Sequence, residues 1–180
     1  MKKHFAIGIP TLALAVIALG ASTGIGQFAP LSTRDAAKPQ KYCVDIPNQS
    51  LKCFNTEAEA MRVASGGRIN LTHGQTARSL SSAQLQQSVY YIEAILYRDR
   101  NYGGDQYLIL SPNQYPACPI RGNISSSFND KTSSLWVQDS CGITLYENAN
   151  RGGRRKRFNR GSTPSVGSDF NDKASSYSFP

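Results

Sequence analysis

One stretch of this chain occurs twice. Phe128-Asn129-Asp130-Lys131-Thr132-Ser133-Ser134 returns as Phe170-Asn171-Asp172-Lys173-Ala174-Ser175-Ser176, with six of seven positions identical. Upstream, Leu96-Tyr97 and Gly103-Gly104 return as Leu145-Tyr146 and Gly152-Gly153, 49 residues later. The later stretch is offset by 42, so the second unit is seven residues shorter in its middle. A surface loop absorbs such a difference easily. Self-similarity of this kind requires one structural unit built twice.

The texture of the repeated region is that of short strands. Tyr91-Ile92-Glu93-Ala94-Ile95-Leu96-Tyr97, Tyr107-Leu108-Ile109-Leu110 and Leu135-Trp136-Val137 are rich in β-branched and aromatic residues, with Gly, Asn and Pro clusters between them. The fold class expected is all-β over residues 91–180.

Each repeated position has a physical reason. Gly104 permits a positive φ at a folded hairpin, so that Tyr97 can pack over the turn. Asn and Asp tolerate turn geometry, and their side-chain oxygens suit a hard cation. Ser133 and Ser175 offer hydroxyl oxygens, whereas Ser134 and Ser176 are expected to hold turn backbone. The ammonium groups of Lys131 and Lys173 are expected to point to water.

Tyr97, Tyr102 and Gly104 make an aromatic-x4-aromatic-x-Gly pattern that resembles the Greek-key signature of the βγ-crystallins, and both Asn-Asp-x-x-Ser-Ser stretches resemble that family's calcium-binding version. The resemblance covers about half the chain. It implies a β-sandwich of two Greek-key motifs and two calcium ions shared between them. It also implies a ligand set: Asp130, Ser133 and the carbonyls of Arg98 and Lys131, with Asp172, Ser175 and the carbonyls of Glu147 and Lys173. How these eight divide between the ions stays open. Two carboxylates for two ions imply weak affinity, on the order of 10⁻⁵ to 10⁻³ M. The second unit departs from the pattern at Arg151, where the second aromatic belongs. Either its guanidinium covers the Tyr146 ring or the second hairpin is looser.

The first residues form a separate object. Lys2 and Lys3 precede an uncharged apolar run to Gly20, followed by Ala21 and Ser22, the layout of a secretory signal over 1–21. Retention as a membrane anchor is the alternative. Without Lys2 and Lys3 the net charge falls from +8 to +6. The even set Cys43, Cys53, Cys118 and Cys141 fits two disulfides in an exported protein. Three pairings are possible, and the spacing favours Cys43 with Cys53 and Cys118 with Cys141. With no C-x-x-C pair, zinc is not expected.

Residues 22–40 are expected to be a linker. Residues 41–67 combine a disulfide-closed hairpin with a helix. Thr56 and Glu59 have capping spacing, Gly66-Gly67 ends the run, and Ala58, Met61 and Ala64 share a face. This segment is expected to be an appendage, and 68–90 a loose polar connector.

Arg151, Arg154, Arg155, Lys156, Arg157 and Arg160 place six cations in ten residues. They form either a charged edge strand or a surface for an anionic polymer. Without alternating aromatics, nucleic acid is not expected. Neither H-E-x-x-H nor G-x-S-x-G occurs, so no enzyme is expected. The expected function is that of a secreted, non-enzymatic calcium-binding module. The second reading is a secreted proteinase inhibitor, because the same half-chain resembles small bacterial metalloproteinase inhibitors of this fold. The loop from Ser111 to Arg121 would then meet the proteinase.

Overall fold

The computed structural model describes residues 39–46, 51–85, 88–112, 119–138 and 141–180. The expected signal segment, nearly all of the expected linker and Cys118 lie outside these residues. The described residues belong to one compact unit, Ala37–Pro180.

Among the described residues, ten strands form two sheets. They are β1 (Tyr42–Asp45), β2 (Lys52–Phe54), β3 (Tyr90–Tyr97), β4 (Gln106–Pro112), β5 (Ile120–Asn123), β6 (Ser134–Val137), β7 (Ile143–Asn148), β8 (Gly152–Phe158), β9 (Gly161–Thr163) and β10 (Ser176–Phe179). One sheet has the order β2-β1-β4-β3-β6-β9, the other β5-β10-β7-β8. The repeat explains the exchange between them. The first unit supplies β3 to β6 and the second β7 to β10, and the third strand of each unit joins the other unit's sheet. The two keys therefore cannot separate without breaking strand pairing. This is the all-β, two-key sandwich expected from the sequence.

The core between the sheets holds Leu96, Tyr107, Ile109, Phe128, Leu135, Ile143, Leu145, Phe158, Phe170 and Phe179. Phe128 and Phe170 open the two repeated stretches, and each buries its ring there. Tyr107 stacks on Phe128 with centroids 5.4 Å apart.

The N-terminal segment is a built-in part of this unit, which corrects the expectation of an appendage. β1 pairs in parallel with β4, from Tyr42 opposite Gln106 to Asp45 opposite Ile109. A Cys43–Cys53 disulfide closes β1 to β2. Helix α1 (Glu57–Ala64) starts at Thr56, whose side chain accepts from the Glu59 amide at 3.2 Å. It buries Ala60, Met61 and Ala64, while Ala58 is exposed. Residues 68–85 are likewise fixed rather than loose. A 3-10 turn (Ala77–Ser79) and a one-turn helix α2 (Ser82–Leu85) lie in this stretch, and Ala60, Met61 and Ala64 are joined in a second core by Ile69, Ala77, Leu80 and Leu85. These apolar residues are scattered singly among polar ones, so no periodicity announces them.

That second core covers the outer face of the larger sheet, meeting Ile92, Ile95, Leu108, Leu110 and Trp136. A sheet buried on both faces has no polar alternation. This is why β3 is buried almost throughout. A bulge between Ile92 and Ala94 resets its register.

Candidate metal centre

The hairpins of the two units have the same backbone. Asn101 and Tyr102 adopt φ of 55° and 65°, and Asn150 and Arg151 adopt 55° and 64°. Gly104 and Gly153 follow at 69° and 74°. A Cβ at Gly104 would lie 2.6 Å from Asp99 Oδ2, so both conformation and space require glycine there. The second hairpin is not looser despite Arg151. The arginine that stacks on an aromatic is a different one. Arg78, from the N-terminal segment, lies 4.0 Å from the Tyr102 ring centroid, and Tyr102 meets Tyr97 edge-on at 5.6 Å.

Each hairpin is locked by a serine of its own repeated stretch. Ser134 Oγ donates to Asp99 O at 2.6 Å and accepts from Tyr102 N at 3.0 Å. Ser176 Oγ donates to Asn148 O at 2.6 Å and accepts from Arg151 N at 2.9 Å. These are the turn-holding roles expected for Ser134 and Ser176.

The rest of each stretch reaches across to the other unit. Asp130 N donates to Ala174 O at 3.0 Å, and Asp172 N donates to Thr132 O at 3.1 Å. Both aspartates sit at φ 54°. Ser175 Oγ donates to Asp130 Oδ1 at 3.1 Å, and Ser133 Oγ donates to Asp172 Oδ1 at 3.3 Å. The second carboxylate oxygen is held within its own loop. Asn129 Nδ2 donates to Asp130 Oδ2 at 2.7 Å and Asn171 Nδ2 to Asp172 Oδ2 at 2.6 Å. The asparagines thus steer the aspartates through their amide nitrogens, a role the sequence reading missed. Ser133 N bonds Tyr97 O at 2.9 Å and Ser175 N bonds Tyr146 O at 2.8 Å. Ser133 is therefore tied beside Arg98, and Ser175 beside Glu147.

The lysines of the two loops turn away from the carboxylates. Lys131 Nζ donates to Ser127 O at 2.5 Å and Lys173 Nζ to Asp169 O at 3.0 Å. Each ammonium group thus caps a carbonyl of its own loop in an exposed position. Among the described residues, salt bridges join Arg98 to Asp105, Arg154 to Glu147 and Lys156 to Asp169. Asp130 and Asp172 have none. Hydrogen bonds from Arg154 hold the Glu147 carboxyl below the usual range, so its side chain is committed and only its carbonyl is left for a metal.

No three His, Cys, Asp or Glu side chains cluster as a metal cage among the described residues. Each candidate centre instead offers one carboxylate, one hydroxyl and backbone carbonyls, an all-oxygen set that suits a hard cation. The paired oxygens, Asp130 Oδ1 with Ser175 Oγ and Asp172 Oδ1 with Ser133 Oγ, lie 3.1 and 3.3 Å apart, so both members of a pair would reach one cation. Asn171 Oδ1 is moreover buried without a hydrogen-bond partner. A buried polar oxygen left in this way is rare and calls for a partner. The donor set fits calcium.

A second feature lies on the smaller sheet. β8 is an edge strand whose alternate residues face opposite ways. Arg154 and Lys156 meet carboxylates, while Arg155 and Arg157 face the other side. Cys141, just before β7, is disulfide-bonded.

The model of peptidase inhibitor family I36 matches residues 96–158. Among solved structures, a βγ-crystallin domain from Clostridium beijerinckii is 30% identical, with 48% of this chain and 94% of that domain aligned and a TM-score of 0.40. A double mutant of that domain is 33% identical over 48% of this chain and 93% of its own, with a TM-score of 0.39. A βγ-crystallin from an archaeon is 28% identical over 49% and 98%, with a TM-score of 0.40. No curated protein matches the sequence.

Proposed function

Because the chain belongs to the βγ-crystallin family, we propose that residues 91–180 bind two calcium ions and act as a calcium-stabilised, non-enzymatic binding module. The observation that carries this is the crossed pairing of Asp130 with Ser175 and of Asp172 with Ser133, with neither carboxylate in an ion pair among the described residues. The crossing suggests the division of ligands. Asp130 joins Ser175 and the Glu147 carbonyl at one ion, and Asp172 joins Ser133 and the Arg98 carbonyl at the other. The Lys131 and Lys173 carbonyls complete the sets. A bound calcium ion supplies positive charge and coordination that hold two loops together.

The site residues do the rest. The asparagines keep each carboxylate turned to the other unit, the lysines stay clear, and Ser134 and Ser176 hold the hairpins. The module is proposed to work outside the cell, where calcium is plentiful and disulfides persist. The signal-like run over 1–21 and the Cys43–Cys53 disulfide favour that setting.

A second reading is favoured by the match over 96–158 to a peptidase inhibitor family. It makes the partner a secreted proteinase, met by the loop between Ser111 and Arg121. Most of that loop, including Cys118, lies outside the described residues.

Thermal unfolding tests the calcium reading. An ion that binds only the folded chain adds about 2.7 kcal/mol per site at a hundredfold excess over Kd. Two sites should raise the midpoint by roughly 10 °C or more in a unit of this size. Magnesium should do much less, because it demands a tighter octahedral shell. A midpoint indifferent to millimolar calcium would overturn the reading.

A further inference from the structure

The outer face of the smaller sheet carries cations and hydroxyls in register. Arg157 lies opposite Thr144, Thr144 opposite Ser178, and Ser178 opposite Arg121. Arg155 lies opposite Tyr146 in the next row. Directly opposed residues share a face, so these six side chains stand on one side of β5, β10, β7 and β8. Neighbouring strands are about 4.8 Å apart, so Arg121 and Arg157 are separated by about 14 Å. A groove of 490 Å³ over β10, β7 and β8 is lined by Thr144, Tyr146, Arg155, Arg157, Ser178 and Pro180, and Arg121 stands beside it on β5. Tyr146 Oη and Ser178 Oγ are 3.2 Å apart on its floor.

Charge is sorted across this sheet. Arg154 and Lys156, on the opposite side of β8, are paired with Glu147 and Asp169. No Asp or Glu of the four strands shares the face of Arg155 and Arg157, and neither these two nor Arg121 is in a salt bridge among the described residues. All three are exposed. A charged edge kept only for solubility needs no such sorting, and it needs no hydroxyls between the cations.

We propose that this face binds an acidic polysaccharide, whose carboxylate or sulfate groups meet the guanidinium groups and whose ring hydroxyls meet Thr144, Tyr146 and Ser178. Guanidinium forks match planar or tetrahedral oxyanions through paired hydrogen bonds. The site is a sheet face and not an edge, so it offers side chains and no free backbone donors. An extended acidic peptide would seek those at an edge. Single-stranded nucleic acid would need an aromatic platform, and the face has one half-buried tyrosine. None of these side chains is a proposed calcium ligand, although Tyr146 adjoins the calcium loops through its carbonyl, which accepts from Ser175 N at 2.8 Å.

The test is binding of the full-length protein to immobilised polygalacturonate, dextran sulfate and neutral dextran, with a calcium chelator present throughout. The proposal expects binding to one or both acidic polymers and none to neutral dextran. Preference between the two identifies carboxylate or sulfate as the oxyanion. R155A and R121A should each weaken binding about tenfold, the loss expected for one charge-assisted contact. R154A should leave it unchanged, because Arg154 is committed to Glu147. Binding should also weaken steeply with salt. Arg157 holds the Cys141 carbonyl at 2.8 Å, so the conservative R157K serves in place of its alanine variant. No binding to either acidic polymer, equal loss in R154A, or equally tight binding to single-stranded DNA or anionic vesicles would each overturn the proposal.

Discussion

The Ser175 hydroxyl lies 3.1 Å from Asp130 Oδ1, although 45 residues of chain separate them. Its counterpart, Ser133 with Asp172, spans 39 residues. Each candidate centre therefore pairs one loop's carboxylate with the other loop's hydroxyl. Neither unit can build a centre alone.

Crossing has a consequence for mutants. Removing Asp130 should disable the centre that contains Ser175 and spare more of the one that contains Ser133. In double-mutant cycles of calcium binding, D130A with S175A should be non-additive by about 0.5–3 kcal/mol. D130A with S133A should be close to additive. Coupling within each loop instead, Asp130 with Ser133, would reverse the assignment.

The N-terminal segment should be indispensable to solubility. A fragment of residues 88–180 would expose Ile92, Ile95, Leu108, Leu110 and the chain's single tryptophan, Trp136, on the outer sheet face. Exposed apolar patches of that kind drive association. The fragment should show red-shifted tryptophan emission and self-associate in sedimentation. In the intact chain M61A should cost about 2–5 kcal/mol in denaturant unfolding, because Met61 is fully buried against that face. A monomeric fragment with unshifted emission would return the segment to the status of an appendage.

Glu57 should make stability depend on pH. Burial pushes its pKa above the ordinary 4.5, while the Ala77 amide and Arg78 pull it back. The folded state thus holds the proton more tightly than the unfolded chain. That contribution is full below the unfolded value and is lost as pH rises through the folded one. E57Q keeps an oxygen for the Ala77 amide, now bonded at 2.9 Å, and removes the buried charge. Its melting midpoint should match or exceed the wild type at pH 7, and the difference should fade by about pH 4. A lower midpoint for E57Q at pH 7 would show that the charge itself stabilises the turn.

Much of the architecture was legible because the repeat spells out its own geometry. Phe128 and Phe170, Gly104 and Gly153, Ser134 and Ser176 each do in the structure what their residue types suggest. The crossed division of Asp130 and Asp172 was not legible. It depends on strand exchange between sheets, which no local pattern records. The cover over the larger sheet was hidden for another reason. Ile69, Ala77, Leu80 and Leu85 are single apolar residues in polar surroundings, and only the unalternating run of β3 hinted that something must cover it. Arg78, which stacks on Tyr102, lies outside the repeat, so the comparison that exposed Arg151 as the odd residue could not find it.

Calorimetric titration with calcium decides whether the paired loops hold metal. Two ions should bind per chain, each with a dissociation constant on the order of 10⁻⁵ to 10⁻³ M. D130A and D172A should each abolish or severely weaken one of the two. Absence of binding at millimolar calcium, or binding unaltered by both substitutions, would contradict the calcium reading and leave the paired loops as structural turns.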